Sequence, residues 1–281
     1  MSKSLSPLRY PGGKSKIYTK IKTLIENNAM NNRTYIEPFA GGFGIGIRLL
    51  SENIVRAAVL NDLDSHIYHF WFSTLNRTEE FLRLIKDTPI TLDERERQKA
   101  IYRDIYSDEL SDGFATLFLN RVNFSGVLKG GPIGGVAQTG TYKLDCRFNK
   151  CEISKKIEKI AQLKSRIRLQ NVDAGVLIKR YATNRSVDKK YFFNIDPPYV
   201  IKGSQLYTNY FMKEDHISLE KIITNYLHDI PWILTYDECE LVRNIYKEYQ
   251  MIDYGILHNA GRSVMGKELV ITNMSNGLLK W

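Results

Sequence analysis

YIEPFAGGFGIGI, residues 35–47, reads as a strand that runs into a glycine-rich turn and then into a helix. Glycines allow the backbone to approach a ligand closely. A turn at the carboxyl end of a strand lies where α/β sheets bind ligands. The spacing is not that of a phosphate-cradling P-loop, because no Gly-Lys-Ser/Thr follows, nor is it a clean dinucleotide fingerprint. Glu37 already stands before the turn. Its charge disfavours a phosphate and favours hydroxyls or a cation. Tight packing alone would also account for such glycines, so the surrounding chain has to decide.

Working outward, strand patterns recur at 34–37, 55–60, 166–170, 191–195, 231–236, 250–256 and 267–273. Helical patterns lie near 44–52, 152–164, 173–182, 213–228 and 238–248. Strands alternating with helices imply an α/β fold with a largely parallel sheet covered on both faces. Residues 64–122 are dominated by helical periodicity. Residues 123–149 hold six glycines and Pro132 without a sustained period, and are expected to form a long irregular loop. Residues 66–165 thus interrupt the alternation and are expected to be an inserted subdomain. Residues 1–65 and 166–281 are expected to form the sheet domain.

The chain has 281 residues, 43% hydrophobic and 25% charged, an ordinary globular composition. No apolar run reaches the length of a membrane span, and the start lacks the apolar core of a signal peptide. A cytoplasmic protein without a membrane partner is expected. The net charge is +9, and its distribution is uneven. Residues 66–120 carry 7 basic and 10 acidic side chains, whereas residues 121–170 carry 11 basic and 3 acidic. Such a stretch suits a polyanion, although a solvated basic face has the same composition. Cys146, Cys151 and Cys239 are too few and too ill-spaced for a disulfide framework or a zinc site. His66 and His69 could share a helix face but lack further ligands nearby. No metal is expected.

Two acids end strands. Asp62 follows the second strand, where an acid can bind ribose hydroxyls, although it could equally cap the next helix in competition with Asp64 and Ser65. FFNIDPPYV, residues 192–200, ends a buried strand in Asp196, Pro197, Pro198 and Tyr199. Prolines cannot continue a sheet ladder. A plain Pro-Pro turn with a surface tyrosine is one reading; the other supposes a substrate with an exocyclic amine on a purine. A carboxylate and a rigid proline carbonyl accept its two N–H groups and localise the nitrogen lone pair. Tyr199 offers an aromatic face to an extruded base. A glycine turn plus an acid one strand later fits a nucleoside-bearing cofactor without a pyrophosphate, such as S-adenosylmethionine.

Taken together, Asp196-Pro197-Pro198-Tyr199 and Glu37-Pro38-Phe39-Ala40-Gly41-Gly42 resemble the amino-methyltransferases of DNA adenine, and more narrowly the Dam-type adenine-N6 methyltransferases. LRYPGGKSK at 8–16, LNDLD at 60–64, LNR at 119–121, LTYDE at 234–238 and KELVITN at 267–273 extend the resemblance over nearly the whole chain. It implies a Rossmann-like class I methyltransferase sheet with an inserted helical target-recognition subdomain. It implies methyl transfer from S-adenosylmethionine to adenine N6 in duplex DNA, with base flipping. The enzyme would belong to bacteria or their phages, either beside a separate cognate restriction endonuclease or alone.

By the same resemblance, Tyr10, Lys14, Glu37, Phe39, Gly41, Asp62, Asp173 and Asp196 line the cofactor site. Asp196 to Tyr199 form the catalytic group. Arg121, Lys129, Lys143, Arg147 and Lys150 are expected on phosphates, and Asn120, Asn123 and Tyr142 on bases. Arg262 and Lys267 flank a second glycine-containing loop that would also face DNA. Two departures stand out. Phe43 occupies a place often held by glycine, which implies a shifted turn. Gly140-Thr141-Tyr142-Lys143 replaces a Gly-Arg-Tyr-Lys run and so lacks an arginine to read guanine, which speaks against GATC as the target. Cytosine N4, RNA adenine or a protein amide as substrate, and a non-catalytic DNA-binding subunit, are the rival readings. The first acid of the tetrapeptide and the long basic insertion favour DNA adenine.

Overall fold

The computed structural model describes residues 5–9, 17–184, 190–200, 211–260 and 262–274. Seven strands form one sheet: β1 (Thr34–Glu37), β2 (Ala57–Asn61), β3 (Ile167–Gln170), β4 (Tyr191–Ile195), β5 (Trp232–Asp237), β6 (Gln250–Ala260) and β7 (Arg262–Thr272). Their order is β3-β2-β1-β4-β5-β7-β6. The first five are parallel. Their central members carry continuous apolar runs because both faces are buried: every residue of β4 is buried, and all of β5 except Asp237. β7 runs antiparallel between β5 and β6. β6 ends at Ala260 and β7 begins at Arg262, and so close a return permits only antiparallel pairing. The sheet is thus largely parallel, as the sequence implies, with β7 as its antiparallel strand.

The chain divides into two compact units. The sheet unit comprises Lys16–Ala40, Arg48–Leu63 and Arg166–Trp281. It includes α1 (Tyr18–Asn27), α8 (Ala174–Thr183), α9 (Lys213–Tyr226) and α10 (Glu240–Ile245). Leu177, Ile178 and Tyr181 of α8 and Leu219 and Ile223 of α9 join Phe193, Ile195, Leu234 and Ile271 of the sheet in one core. Each such side chain stabilises the fold by about 1.5–3 kcal/mol relative to exposure.

The helical unit comprises Met1–Ser15, Gly41–Ile47 and Asp64–Ser165. It holds α3 (Ser65–Asn76), α4 (Thr78–Asp87), α5 (Leu92–Arg103), α6 (Glu109–Val122) and α7 (Lys150–Ala161). Between the two groups, α2 (Gly44–Ser51) starts in this unit and ends in the other. Residues Asp112 to Asn120 of α6 are all buried, as expected of a central helix. Gly113 allows the closest approach to α3: a Cβ there would stand 2.5 Å from the His69 carbonyl oxygen. Side-chain oxygens of Thr91, Asp108 and Asn149 cap α5, α6 and α7. Among the described residues no helix is long and apolar enough to cross a membrane.

Candidate active site and nucleic-acid interface

In the sheet unit, β1 is flanked by β2 on one side and β4 on the other, the reversal of strand order at which α/β sheets bind ligands. Glu37 ends β1, and the Tyr35 hydroxyl donates to it at 2.6 Å. Burial, followed by the charge and hydrogen bond of Glu37, drives the Tyr35 phenol well above its ordinary value, so Tyr35 stays a neutral donor. Phe39 is half-buried and meets Phe211 edge-on, with centroids 5.8 Å apart.

Asn61, to which sequence reading gave no role, ties three segments together. Its amide nitrogen donates to the carbonyls of Pro38 at 2.8 Å and Val172 at 2.9 Å, and its side-chain oxygen accepts from the Val172 amide at 3.1 Å. Its own carbonyl receives the Ala40 amide. Next to it, Asp62 is half-buried. The cap of α3 is Asp64, whose carboxylate accepts from the His66 amide at 2.9 Å. Asp62 is therefore not consumed as a helix cap. Asp173 is exposed and does cap α8, accepting from the Val176 amide at 3.0 Å.

The Asp196–Tyr199 segment leaves β4 and is pinned by β5 and β7 at three points. Thr235 donates to the Asp196 carboxylate at 2.7 Å. The Tyr199 hydroxyl donates to Glu268 at 2.5 Å. The Val200 amide donates to Asp237 at 2.9 Å. Asp237 and Glu268 are directly opposite each other in the β5–β7 register. Pro197 is buried, Pro198 half-buried, and Tyr199 only 4% exposed. These anchors lie in LTYDE and KELVITN, so the resemblance marked the segments without saying what Thr235, Asp237 and Glu268 do there.

In the helical unit the glycine turn is left-handed at two places, Gly41 (φ 46°) and Phe43 (φ 46°). The Gly41 carbonyl accepts the Trp71 indole N–H at 2.9 Å. Phe43 thus adopts a conformation that favours glycine, and its ring is buried edge-on against Trp71. Gly46 makes that possible, since a Cβ there would stand 2.3 Å from the Phe43 ring.

The 123–149 segment is irregular but internally bonded. Asn120 and Asn123, expected to meet bases, are buried instead. Asn120 accepts from the Arg9 amide at 2.7 Å and donates to the carbonyls of Arg9 and Gly126. Asn123 accepts from the Arg95 guanidinium at 2.8 Å and donates to the carbonyls of Val127 and Leu128. Their amides hold the loop and are not available as base readers. Gln138 is a second hub, donating to Ile133 and Gly135 carbonyls and accepting from the Leu144 amide. Lys150, expected on a phosphate, spends its ammonium on the Lys86 and Thr88 carbonyls at 2.7 Å each.

Lys129, Tyr142, Lys143 and Arg147 are exposed, as is Phe124. The Arg147 guanidinium lies over the Tyr142 ring, 5.8 Å from its centroid. The Lys143 ammonium rests on the Gln138 carbonyl at 2.6 Å. Arg121 is half-buried. Burial first, then the charges of Arg9 and Arg147, push its pKa down to about 10, which leaves it a cation at neutral pH.

His66 and His69 of α3 both place Nδ1 2.7 Å from the buried Asp112 carboxylate. Burial opposes charge on His66, but the hydrogen bond and charge of Asp112 outweigh it and hold the His66 pKa above its usual value. The three cysteines are free thiols, and no cluster able to hold a metal occurs among the described residues. Tyr10, Lys14 and the Arg262 side chain lie outside the described residues, and Lys267 is exposed.

The family model for D12 class N6 adenine-specific DNA methyltransferases matches residues 10–262. The chain is 26% identical over 233 residues to the Type II methyltransferase M.MjaIII of Methanocaldococcus jannaschii, covering 76% of this chain and 77% of that protein. Among solved structures, the rRNA methyltransferase aviRa from Streptomyces viridochromogenes superposes with a TM-score of 0.36 at 9% identity, over 92% of this chain and 86% of that one. The chain belongs to the D12 class of N6 adenine-specific DNA methyltransferases. It transfers a methyl group to adenine N6 in DNA, and its seven-stranded sheet is the Rossmann-like sheet expected of such an enzyme.

Proposed function

We propose that the methyl donor is S-adenosylmethionine and that the substrate is duplex DNA, from which one adenine is turned out of the stack. The donor set at the strand ends fits that cofactor. Glu37 and Asp62 are carboxylates suited to an ammonium group and ribose hydroxyls, and Asp64, not Asp62, serves the helix. By the family resemblance, Tyr10, Lys14, Phe39, Gly41 and Asp173 are further candidates for cofactor contacts. When bound, S-adenosylmethionine supplies a methyl group already activated by its sulfonium.

The protein's share is positioning and electrostatics. Asp196 accepts one N–H of the adenine amine and a proline carbonyl of the tetrapeptide accepts the other. The nitrogen lone pair, otherwise delocalised into the ring, is thereby aimed at the methyl. Tyr199 stacks on the base. Because the ring is 4% exposed, stacking requires the groups that cover it to give way. Lys129, Lys143 and Arg147, together with the half-buried Arg121, supply positive charge for phosphates, and Tyr142 an aromatic contact. In this reading residues 66–165 are the target-recognition part, and the enzyme works in the cytoplasm beside a separate endonuclease or alone.

The observation that carries the proposal is the Asp196 carboxylate, oriented by Thr235 at the end of β4 next to the strand that ends in Glu37. The test is methylation of unmethylated genomic DNA with S-adenosylmethionine, followed by nucleoside mass spectrometry. N6-methyladenine is expected from the wild type and none from a folded Asp196→Ala. Full activity of that variant would remove Asp196 from the mechanism.

A further inference from the structure

Glu268 is 1% exposed in the middle of a sheet, between β5 and β6. Its successors Leu269, Val270 and Ile271 are apolar and fully buried, which is what a central strand needs. A buried carboxylate is a poor stabiliser: desolvation is costly, and an apolar side chain of similar volume is often as good or better. Fold stability therefore does not explain the acid. Its geometry does, because the carboxylate accepts the Tyr199 hydroxyl at 2.5 Å, a short charge-assisted hydrogen bond between two buried groups.

We propose that Glu268 is a positioning residue for methyl transfer, acting through Tyr199. The inference rests on the reading that Tyr199 stacks on the target adenine. Two effects follow from the contact. The hydrogen bond fixes the hydroxyl end of the ring and, because a phenolic O–H prefers to lie in the ring plane, favours one plane against which the base lies. It also pushes electron density from the phenol into the ring, making its face more negative. As N6 takes the methyl and the methyl–sulfur bond breaks, positive charge builds on the adenine until N6 gives up a proton to solvent, and a more negative aromatic face stabilises that charge. Asp237, opposite Glu268, fixes the Val200 amide just beyond the ring, so β5 and β7 hold both the aromatic and the chain that follows it.

The experiment is steady-state methylation of unmethylated DNA by the wild type and by Glu268→Gln, Glu268→Ala, Tyr199→Phe, Tyr199→Ala and the double variant Tyr199→Phe/Glu268→Ala. Thermal melting establishes that each is folded, and the isosteric Glu268→Gln serves if Glu268→Ala is not. Glu268→Ala is expected to lower kcat on the order of tenfold, the scale of a misplaced reacting group, with the KM for the methyl donor unchanged. Glu268→Gln, which still accepts the hydroxyl, recovers part of the loss. In the Tyr199→Phe background, where there is no hydroxyl to hold, removing the carboxylate costs nothing further. An equal loss in both backgrounds, or unchanged kcat in the Glu268 variants, overturns the proposal while leaving the stacking reading intact. Full activity of Tyr199→Ala overturns the stacking reading, and the proposal with it.

Discussion

The Thr235 hydroxyl donates a 2.7 Å hydrogen bond to the Asp196 carboxylate across the neighbouring strands β5 and β4. Thr235 is 1% exposed, so the bond is made away from bulk water and orients one carboxylate oxygen. Thr235→Val keeps the shape and removes the donor. It is expected to lower kcat by roughly tenfold to a hundredfold, a misplacement penalty, while Thr235→Ser restores most of the rate. Equal kcat for the valine variant and the wild type would show that Asp196 is placed without this bond.

Asp64 caps α3, whereas Asp62, two residues earlier, is proposed to bind the methyl donor. Asp64→Ala removes the cap of α3 and should cost about 1 kcal/mol of stability, visible in denaturant unfolding, with the KM for the methyl donor unchanged. Asp62→Ala should do the reverse. If Asp62 holds the ribose hydroxyls as proposed, its loss raises the KM for the methyl donor by roughly tenfold or more, and stability hardly moves. A cofactor-binding defect in the Asp64 variant alone would reverse these assignments.

Legibility in the sequence followed the range of the interactions. β1 and β4 were readable to the residue because their apolar runs stop at Glu37 and Asp196, a local signal. Antiparallel β7 between β5 and β6 was not, since strand order is set by tertiary packing. Asp196 could be singled out from the tetrapeptide. Its anchors Thr235 and Glu268 lie 39 and 69 residues from their partners, and periodicity carries no trace of such pairings. Asn120 and Asn123 misled for a physical reason: an amide near an arginine where a helix runs into a glycine-rich basic loop has the same composition whether it reads a base or closes the loop. Only burial distinguishes the two.

That distinction is testable. Asn123→Ala leaves the Arg95 guanidinium short of an acceptor and the Val127 and Leu128 carbonyls short of a donor in a buried site. A loss of about 2–4 kcal/mol in unfolding free energy is expected. Lys143→Gln combined with Arg147→Gln alters exposed charges and should leave stability within about 0.5 kcal/mol. The double variant should instead weaken DNA binding and flatten the dependence of log K on log salt by about 1–2. An unchanged salt slope would move the phosphate track away from these two residues.

The His66–Asp112–His69 cluster gives the stability a pH signature. Burial works against charge on both His66 and Asp112, yet their mutual hydrogen bond and attraction raise the His66 pKa above 6.5 and, together with those of His69, lower that of Asp112 below 3.8. Asp64 reinforces the charge on His66, Lys129 opposes it, and Tyr102 stacks on the ring at 4.0 Å. A raised histidine contributes stability that is fully present below the unfolded pKa and lost as pH rises through the folded one. A depressed carboxylate contributes above its unfolded pKa and loses that as pH falls through the folded one. The pair is therefore strongest between the two unfolded values, 3.8 and 6.5. His66→Gln removes the titrating group. Below 6.5 the wild type should melt about 2 °C or more above this variant, and the gap should narrow as pH rises through the raised His66 pKa. Melting curves of the two proteins across that range decide it, and a gap that widens with pH would mean that His66 is held neutral.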